Sequence, residues 1–506
     1  MFRIATITFL LSYCTSFSQL IYSRDFETRK KNVPLTIINN NKNFFYLLRY
    51  NKAAHDITIE RRAKPSAEII SFTPLKLDSV NADWFDYEKL DYLFFENNFH
   101  TYFLFEKVLN YKKTIYLKII DTLGKASGFI ELASLETEKG VTDINFEFKR
   151  TTSNNILIIA TQTYGSFLIK KKAILFNIEK RKITWQKELP QENDITGYSN
   201  SFECNSEGDL FYVLAKSHTA SFRRKYINHS QVFVPVLFYD SLTICSINVN
   251  ASNISKQNLA INNVSGINII NLIPKKNSII ATIHFSKQNT DESISSNFLN
   301  QKFNTDLSIE YYAIITPLDN SINDCLTFYD GTDNSSPCEK EYKYYGKFEM
   351  ANSCFLVSER VEEYYYKELV VWQIDFETGK ILNQKIIPRK VYSFKGRTRF
   401  KNIGVTMPFI YNEKLNLAVL ESPENVNLDP NNFSYHKFKK ETNLWKSNII
   451  MYQLSINGNL AKRVIYENAN YDVVPLPYQS INQEEMIFYL NGGTSEKFAI
   501  LQLNQF

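Results

Sequence analysis

The sequence predicts an all-β chain built as one ring of four-stranded antiparallel units, and three observations lead there. A segment of about 17 residues recurs along the chain, each copy reads as strand, polar turn and strand, and helical periodicity is nearly absent. The copies are 56-DITIERRAKPSAEIISF, 116-YLKIIDTLGKASGFIEL, 173-AILFNIEKRKITWQKEL, 243-TICSINVNASNISKQNL, 312-YAIITPLDNSINDCLTF, 370-VVWQIDFETGKILNQKI and 450-IMYQLSINGNLAKRVIY, with 499-AILQLNQF as a truncated eighth. Their starts lie 49 to 80 residues apart. Apolar and aromatic runs around turns of Asn, Asp, Gly or Lys are the composition of a β-hairpin. Only 83-DWFDYEKLDYLFFE has the spacing of a short amphipathic helix.

Two further strand-like runs precede each hairpin, giving four strands per unit. The clearest set is 345-YGKFEM, 352-NSCFLVSERV, 366-YKELVVWQIDF and 379-GKILNQKII. Corresponding sets begin near Leu35, Asp83, Val141, Tyr198, Gly266, Gly404 and Val473, which makes eight. The last set has only three strands, 473-VVPLPY, 485-EMIFYLN and 497-KFAILQL. Gln19–Phe26 is placed to supply the fourth, since an open last unit would keep an unpaired edge. The arrangement resembles the β-propeller superfamily over essentially all of residues 19–506, with eight blades, seven being the alternative. The resemblance is architectural: the Gly-His and Trp-Asp signatures of WD repeats and the Ser-x-Asp-x-Gly-x-Thr-Trp boxes of sialidases are missing. An export-type N-terminus with an Asn-, Lys-, Ile-, Phe- and Tyr-rich sequence is similar to exported propellers of the Bacteroidetes.

Residues 1–18 read as a signal peptide. Arg3 supplies the positive charge, Ile4–Leu11 the apolar stretch, and Ser16 and Ser18 the small residues before cleavage at Gln19. Lipidation at Cys14 is the rival reading, and the bulky Tyr13 before it fits that cleavage poorly. No later run reaches the roughly 20 apolar residues of a membrane helix. An outer-membrane barrel would need an apolar stripe leading to Phe506, but Asn504 and Gln502 interrupt it. The expected location is therefore periplasmic, outer-membrane-associated or extracellular, with peripheral membrane association allowed. In such an oxidising compartment Cys325 and Cys338, which bracket a polar loop, are the expected disulfide. Cys204, Cys245 and Cys354 sit in apolar runs and read as small core hydrophobes.

The chemistry-bearing motifs are few. The net charge of +5 is spread along the chain, without the concentrated basic stripe of a nucleic-acid binder. The six histidines show no metal-ligand spacing, and no nucleophile elbow, P-loop or dinucleotide fingerprint occurs. No cofactor is expected. The one weak cation candidate is a Ca²⁺ site of Asp330, Asp333 and Asn334, whose ordinary reading is a polar turn.

Irregular spacing is the better functional signal. Extra residues at 216–233, 286–308 and 423–446 read as insertions between second and third strands, hence all on one face. The first carries Phe222, Arg223, Arg224 and Tyr226, the last Tyr435, His436, Phe438 and Trp445, residue types enriched in protein-binding hot spots. The reading is a non-catalytic exported propeller that binds a protein partner in the cell envelope, as a subunit of a periplasmic or outer-membrane assembly such as a secretion channel. The alternative is a secreted glycan-active hydrolase, or a carbohydrate-binding propeller, with its site at the central pore.

Overall fold

The recurring polar turn is a side-chain cap. Asp121 Oδ1 accepts the Lys125 N–H at 2.8 Å, Asn177 Oδ1 that of Lys180 at 2.7 Å, Asp375 Oδ1 that of Thr378 at 2.6 Å, and Ser455 Oγ that of Asn459 at 3.1 Å. A residue late in the turn then takes positive φ, as at Arg181 (51°), Gly379 (65°) and Gly458 (79°). Gly458 also lies so close to Asn383 that an added Cβ would sit 2.5 Å from its Oδ1. Local chemistry therefore favours these hairpins independently of the packing around them.

The structure, a computed structural model, describes residues 20–27, 32–38, 42–51, 56–75, 92–97, 100–109, 112–121, 125–136, 143–151, 155–164, 167–189, 202–227, 230–248, 254–264, 266–288, 294–310, 314–317, 341–362, 365–387, 389, 391–392, 406–429, 447–467, 471–474, 478–480 and 485–503. These form an eight-bladed β-propeller, all-β and mainly of four-stranded antiparallel blades. Blade one is Asn32–Ile38, Phe44–Asn51, Asp56–Ala63 and Ile69–Pro74. Blade two is Tyr92–Asn97, His100–Leu109, Lys112–Ile120 and Ile130–Glu136; blade three is Asp143–Arg150, Asn155–Tyr164, Phe167–Asn177 and Lys182–Glu188. Blade four comprises Phe202–Cys204, Leu210–Ile227, Ser230–Ile247 and Ile254–Val264, and blade five Gly266–Pro274, Ser278–Gln288, Ile294–Asn304 and Ile314–Pro317. Blade six follows with Glu341–Glu349, Ser353–Glu362, Tyr365–Asp375 and Ile381–Ile387, and blade seven with Thr406–Tyr411, Lys414–Glu421, Asn448–Ser455 and Leu460–Tyr466. Blade eight joins Asp472–Val474, Glu485–Asn491 and Ser495–Gln502 to the N-terminal strand Leu20–Tyr22.

The core is divided among the seams. Eight buried apolar clusters among the described residues each join one blade to the next around the ring. Blade three shows how one strand serves two seams: Ile156 and Ile158 pack towards blade two, Leu157 and Ile159 towards blade four. Strands buried on both faces read as continuous apolar runs, which is why the inner strands look so uniformly hydrophobic.

The first and last described strands meet as expected. Leu20, Ile21 and Tyr22 pair with Leu501, Ile500 and Ala499, and Phe498 donates its N–H to Ser23 Oγ at 3.0 Å. Beside this closure lies a fully buried cluster of four charges. Arg49 reaches Glu496 at 2.5 Å and Glu60 at 3.2 Å, while Arg62 reaches Glu60 at 2.5 Å and Glu496 at 3.3 Å. Tyr489 donates to Glu496 Oε2 at 2.8 Å, and Arg62 donates to the Ala67 carbonyl at 2.9 Å. Every charge has an opposite partner, the condition under which a buried network holds.

Three stretches differ from the sequence reading. Residues 216–227 and 230–233 continue the central strands of blade four instead of leaving them. Residues 286–308 contain the third strand of blade five, Ile294–Asn304; the recurring segment at 312 supplies the fourth, Ile314–Pro317. Its amides disguised it as a loop, yet Asn300 and Gln301 are buried, and Gln301 accepts the Ala260 N–H at 3.1 Å. The C-terminal part of the helix-like segment at 83 is strand Tyr92–Asn97, the first of blade two. One addition was not foreseen: Tyr478–Ser480 pairs in parallel with Ile37 and Ile38, adding a fifth strand to the first-strand edge of blade one.

Candidate functional site

Antiparallel order puts the links between blades and the connections from second to third strands on one face, the linker face. The turns from first to second and from third to fourth strands lie on the other. On the linker face blade four projects a β-arm. Its central strands are each 18 residues long and stay in register to Ile227↔Ser230. The first strand pairs no further than Tyr212, and the fourth no further than Tyr239. From Ser221 to Ile227, among the described residues, the two strands are paired only with each other. At the base His218 Nδ1 meets Asp240 Oδ1 at 2.8 Å. At roughly 3.3 Å per residue, the strand from Ser217 to Ile227 spans about 35 Å.

The sequence-derived partner-binding residues divide unequally. Phe222, Arg223, Arg224 and Tyr226 stand on the arm, paired with Pro235, Val234, Phe233 and Gln231. Tyr435, His436, Phe438 and Trp445 lie outside the described residues, as do Cys325, Cys338, Asp330, Asp333, Asn334, Cys14 and the signal segment. Cys204, Cys245 and Cys354 are buried, as expected of core thiols, and burial pushes Cys354 up to about 12.

The blade-seven insertion is anchored at its start. Pro423–Asn425 forms a 3₁₀ turn in which Glu421 Oε1 accepts from the Ser422 N–H and from Asn425 Nδ2, both at 2.9 Å. Lys462 Nζ donates to the carbonyls of Asn425 at 3.1 Å and Leu428 at 2.9 Å. Burial raises the Glu421 carboxyl, and Asn425 and Arg389 oppose it without restoring the ordinary value. Burial and then Glu421 push the Tyr452 phenol up as well. Towards blade six, Arg389 Nη2 binds Glu359 Oε1 at 2.5 Å, and the Tyr345 hydroxyl donates to Glu359 Oε2. A carboxyl raised by burial near the Tyr452 phenol has some of the chemistry of an acid, but Glu421, Glu359 and Arg389 are at most 1% exposed. The cluster fixes the root of an insertion and offers substrate no access.

A second cluster joins the first strands of blades three to six at the opposite, turn-bearing end. Glu203 Oε2 lies 3.2 Å from Lys149 Nζ and 3.4 Å from Lys347 Nζ, so blade four reaches across to blade six. Lys347 also donates to the Leu272 carbonyl of blade five at 3.3 Å, and Lys275 pairs with Glu349 at 2.9 Å. Burial raises the Glu203 carboxyl, but Lys149 and Lys347 outweigh it and hold the group below the usual range. Glu203, held between two ammoniums, is the reverse of the raised carboxylic acid that glycoside hydrolysis requires. Among the described residues no three His, Cys, Asp or Glu side chains converge as metal ligands.

None of these charge clusters, nor the one at the ring closure, was found from sequence. The available signal was a charge inside an apolar run, as with Arg49 in 44-FFYLLRYN.

No protein-family model and no curated protein matches the chain. Among solved structures it is similar to a mutant Synechocystis apocarotenoid oxygenase, at 6% identity and a TM-score of 0.36, covering 90% of this chain and 96% of that one. It is also similar to a member of the duf4221 family from Bacteroides vulgatus, at 12% identity and 0.30, covering 65% and 86%. A Penicillium chrysogenum alpha-L-arabinanase complexed with arabinobiose matches at 10% identity and 0.28, covering 72% and 99%. At these scores the likenesses carry no functional weight.

Proposed function

We propose that the chain is an exported, non-catalytic propeller that binds a protein partner in the cell envelope through its linker face, as a subunit of a periplasmic or outer-membrane assembly. The observation that carries the reading is the β-arm, which extends beyond its blade and bears Phe222, Arg223, Arg224 and Tyr226. The lysine-neutralised carboxylates between the first strands support the non-catalytic side of it.

The test is capture of partners from native envelopes. Replacing 217–239 by Asn-Gly, or 430–446 by a short Gly-Ser link, leaves the blades folded and removes capture. Each buried Arg or aromatic anchor at such an interface contributes about 2 kcal/mol or more. The finer version is the quadruple variant Arg223→Ala, Arg224→Ala, Tyr435→Ala and Trp445→Ala. If all three proteins copurified with the same partners as wild type, the linker face would be the wrong surface.

A further inference from the structure

We infer that the edge of the arm at Ser221–Ile227, which has no strand neighbour among the described residues beyond its hairpin partner, takes an extended acidic strand of the partner and adds it to the hairpin. This rests on the partner-binding reading above and names the chemistry of the partner. An extended strand presents backbone N–H and C=O groups along both edges, and only another strand satisfies them in sequence. In the arm, each strand uses one edge for the other. The edge of Ser230–Val236 carries Pro235, which removes a donor and blunts that side. Ser221–Ile227 has no proline and remains the edge able to pair.

Charge selects the occupant. From Ser217 to Tyr239 the arm has Arg223, Arg224 and Lys225 and no Asp or Glu. A second copy would place these cations against themselves, and like charges opposite one another destabilise a pair. A neutral strand meets the same basic side chains that ordinarily protect an edge from aggregation. An acidic strand reverses the sign, so the charges that exclude a second copy recruit this partner. Lipid headgroups share the negative charge, but they cannot match alternating donors and acceptors along a strand.

The experiment uses the whole chain and two synthetic ten-residue peptides, one alternating Glu with Val and one alternating Lys with Val. Fluorescence anisotropy at low and high salt gives affinity, and amide hydrogen exchange gives location. The Glu–Val peptide should bind at least tenfold more tightly than the Lys–Val peptide, weaken with salt, and slow exchange at Ser221–Ile227. The triple variant Arg223→Glu, Arg224→Glu and Lys225→Glu should invert the preference, with its melting temperature confirming folded blades. Equal binding of the two peptides, protection elsewhere, or arm-dependent dimers in sedimentation would each overturn the inference. So would arm-dependent flotation with phosphatidylglycerol vesicles in place of peptide binding. If neither peptide binds while wild type still captures its envelope partner, this edge is refuted and the linker-face reading survives. If wild type captures no partner, the broader reading fails first and takes this one with it.

Discussion

Two seams of the ring bury charge in opposite balance. Between blades eight and one, Arg49 and Arg62 face Glu60 and Glu496, two cations against two anions. Between blades six and seven, buried Arg389 serves Glu359, while Glu421 is left to an amide, a backbone N–H and the distant pull of its cations. Burial would raise a carboxyl in either seam. At Glu60 it is outweighed by Arg49 and Arg62, which hold the group below the ordinary range; at Glu421 it wins. A balanced cluster pins the seam where the first and last described strands meet. An unbalanced one keeps a carboxyl of raised pKa at the root of an insertion.

Removing Leu20–Glu27 should do the most damage to the first seam. It strips the fourth strand from blade eight and takes Phe26 away from Arg62 and Phe498. Lost apolar burial and strand hydrogen bonds together come to about 5 kcal/mol or more. Urea denaturation and light scattering measure it; an unchanged midpoint with a monomeric product would mean that closure lies elsewhere.

Arg49→Met comes next. Deleting one partner of a buried ion network leaves uncompensated charge and costs about 3–5 kcal/mol. Adding Glu496→Gln should recover part of that loss, giving clear non-additivity in a double-mutant cycle. Additive losses would show that the four charges do not act as a unit.

Glu421→Gln has the smallest effect and sharpens the contrast through pH. A carboxyl raised in the folded state contributes stability fully present below its unfolded pKa and lost as pH rises through the folded value. The variant lacks that loss, so it should match wild type near pH 4 and exceed it near pH 8 by roughly 1 kcal/mol, the scale of one buried hydrogen bond. Glu60 runs the other way: its contribution is present above the unfolded value and lost as pH falls through the lowered folded one. Denaturation midpoints at pH 4, 6 and 8 separate the two seams; a variant that tracked wild type throughout would rule out a raised Glu421.

Much of the ring was legible because its information is local. The capped turns at Asp121, Asn177, Asp375 and Ser455 announce hairpins in a few residues, and their recurrence counts blades. Blade five misled because polarity was read as exposure, whereas Asn300 and Gln301 are buried in a strand. The arm misled because a long strand rich in Ser, Arg and Tyr lacks the apolar alternation of a half-buried one. The charge clusters were out of reach for another reason. Arg49 and Glu496 lie 447 residues apart, and no local pattern ties one to the other.

The pairing of Leu20 with Leu501 also sets a timetable for folding. The strand that completes blade eight and the strand it needs are separated in sequence by the other seven blades. Contacts of such sequence separation carry the greatest loop-closure entropy and form slowly. Hairpins can form as they emerge, and neighbouring blades can stack in turn. Until Leu20–Tyr22 meets Ser495–Gln502, however, the ring stays open with unsatisfied strand edges on both sides of the gap, and the chain is most exposed to wrong edge pairing in that interval.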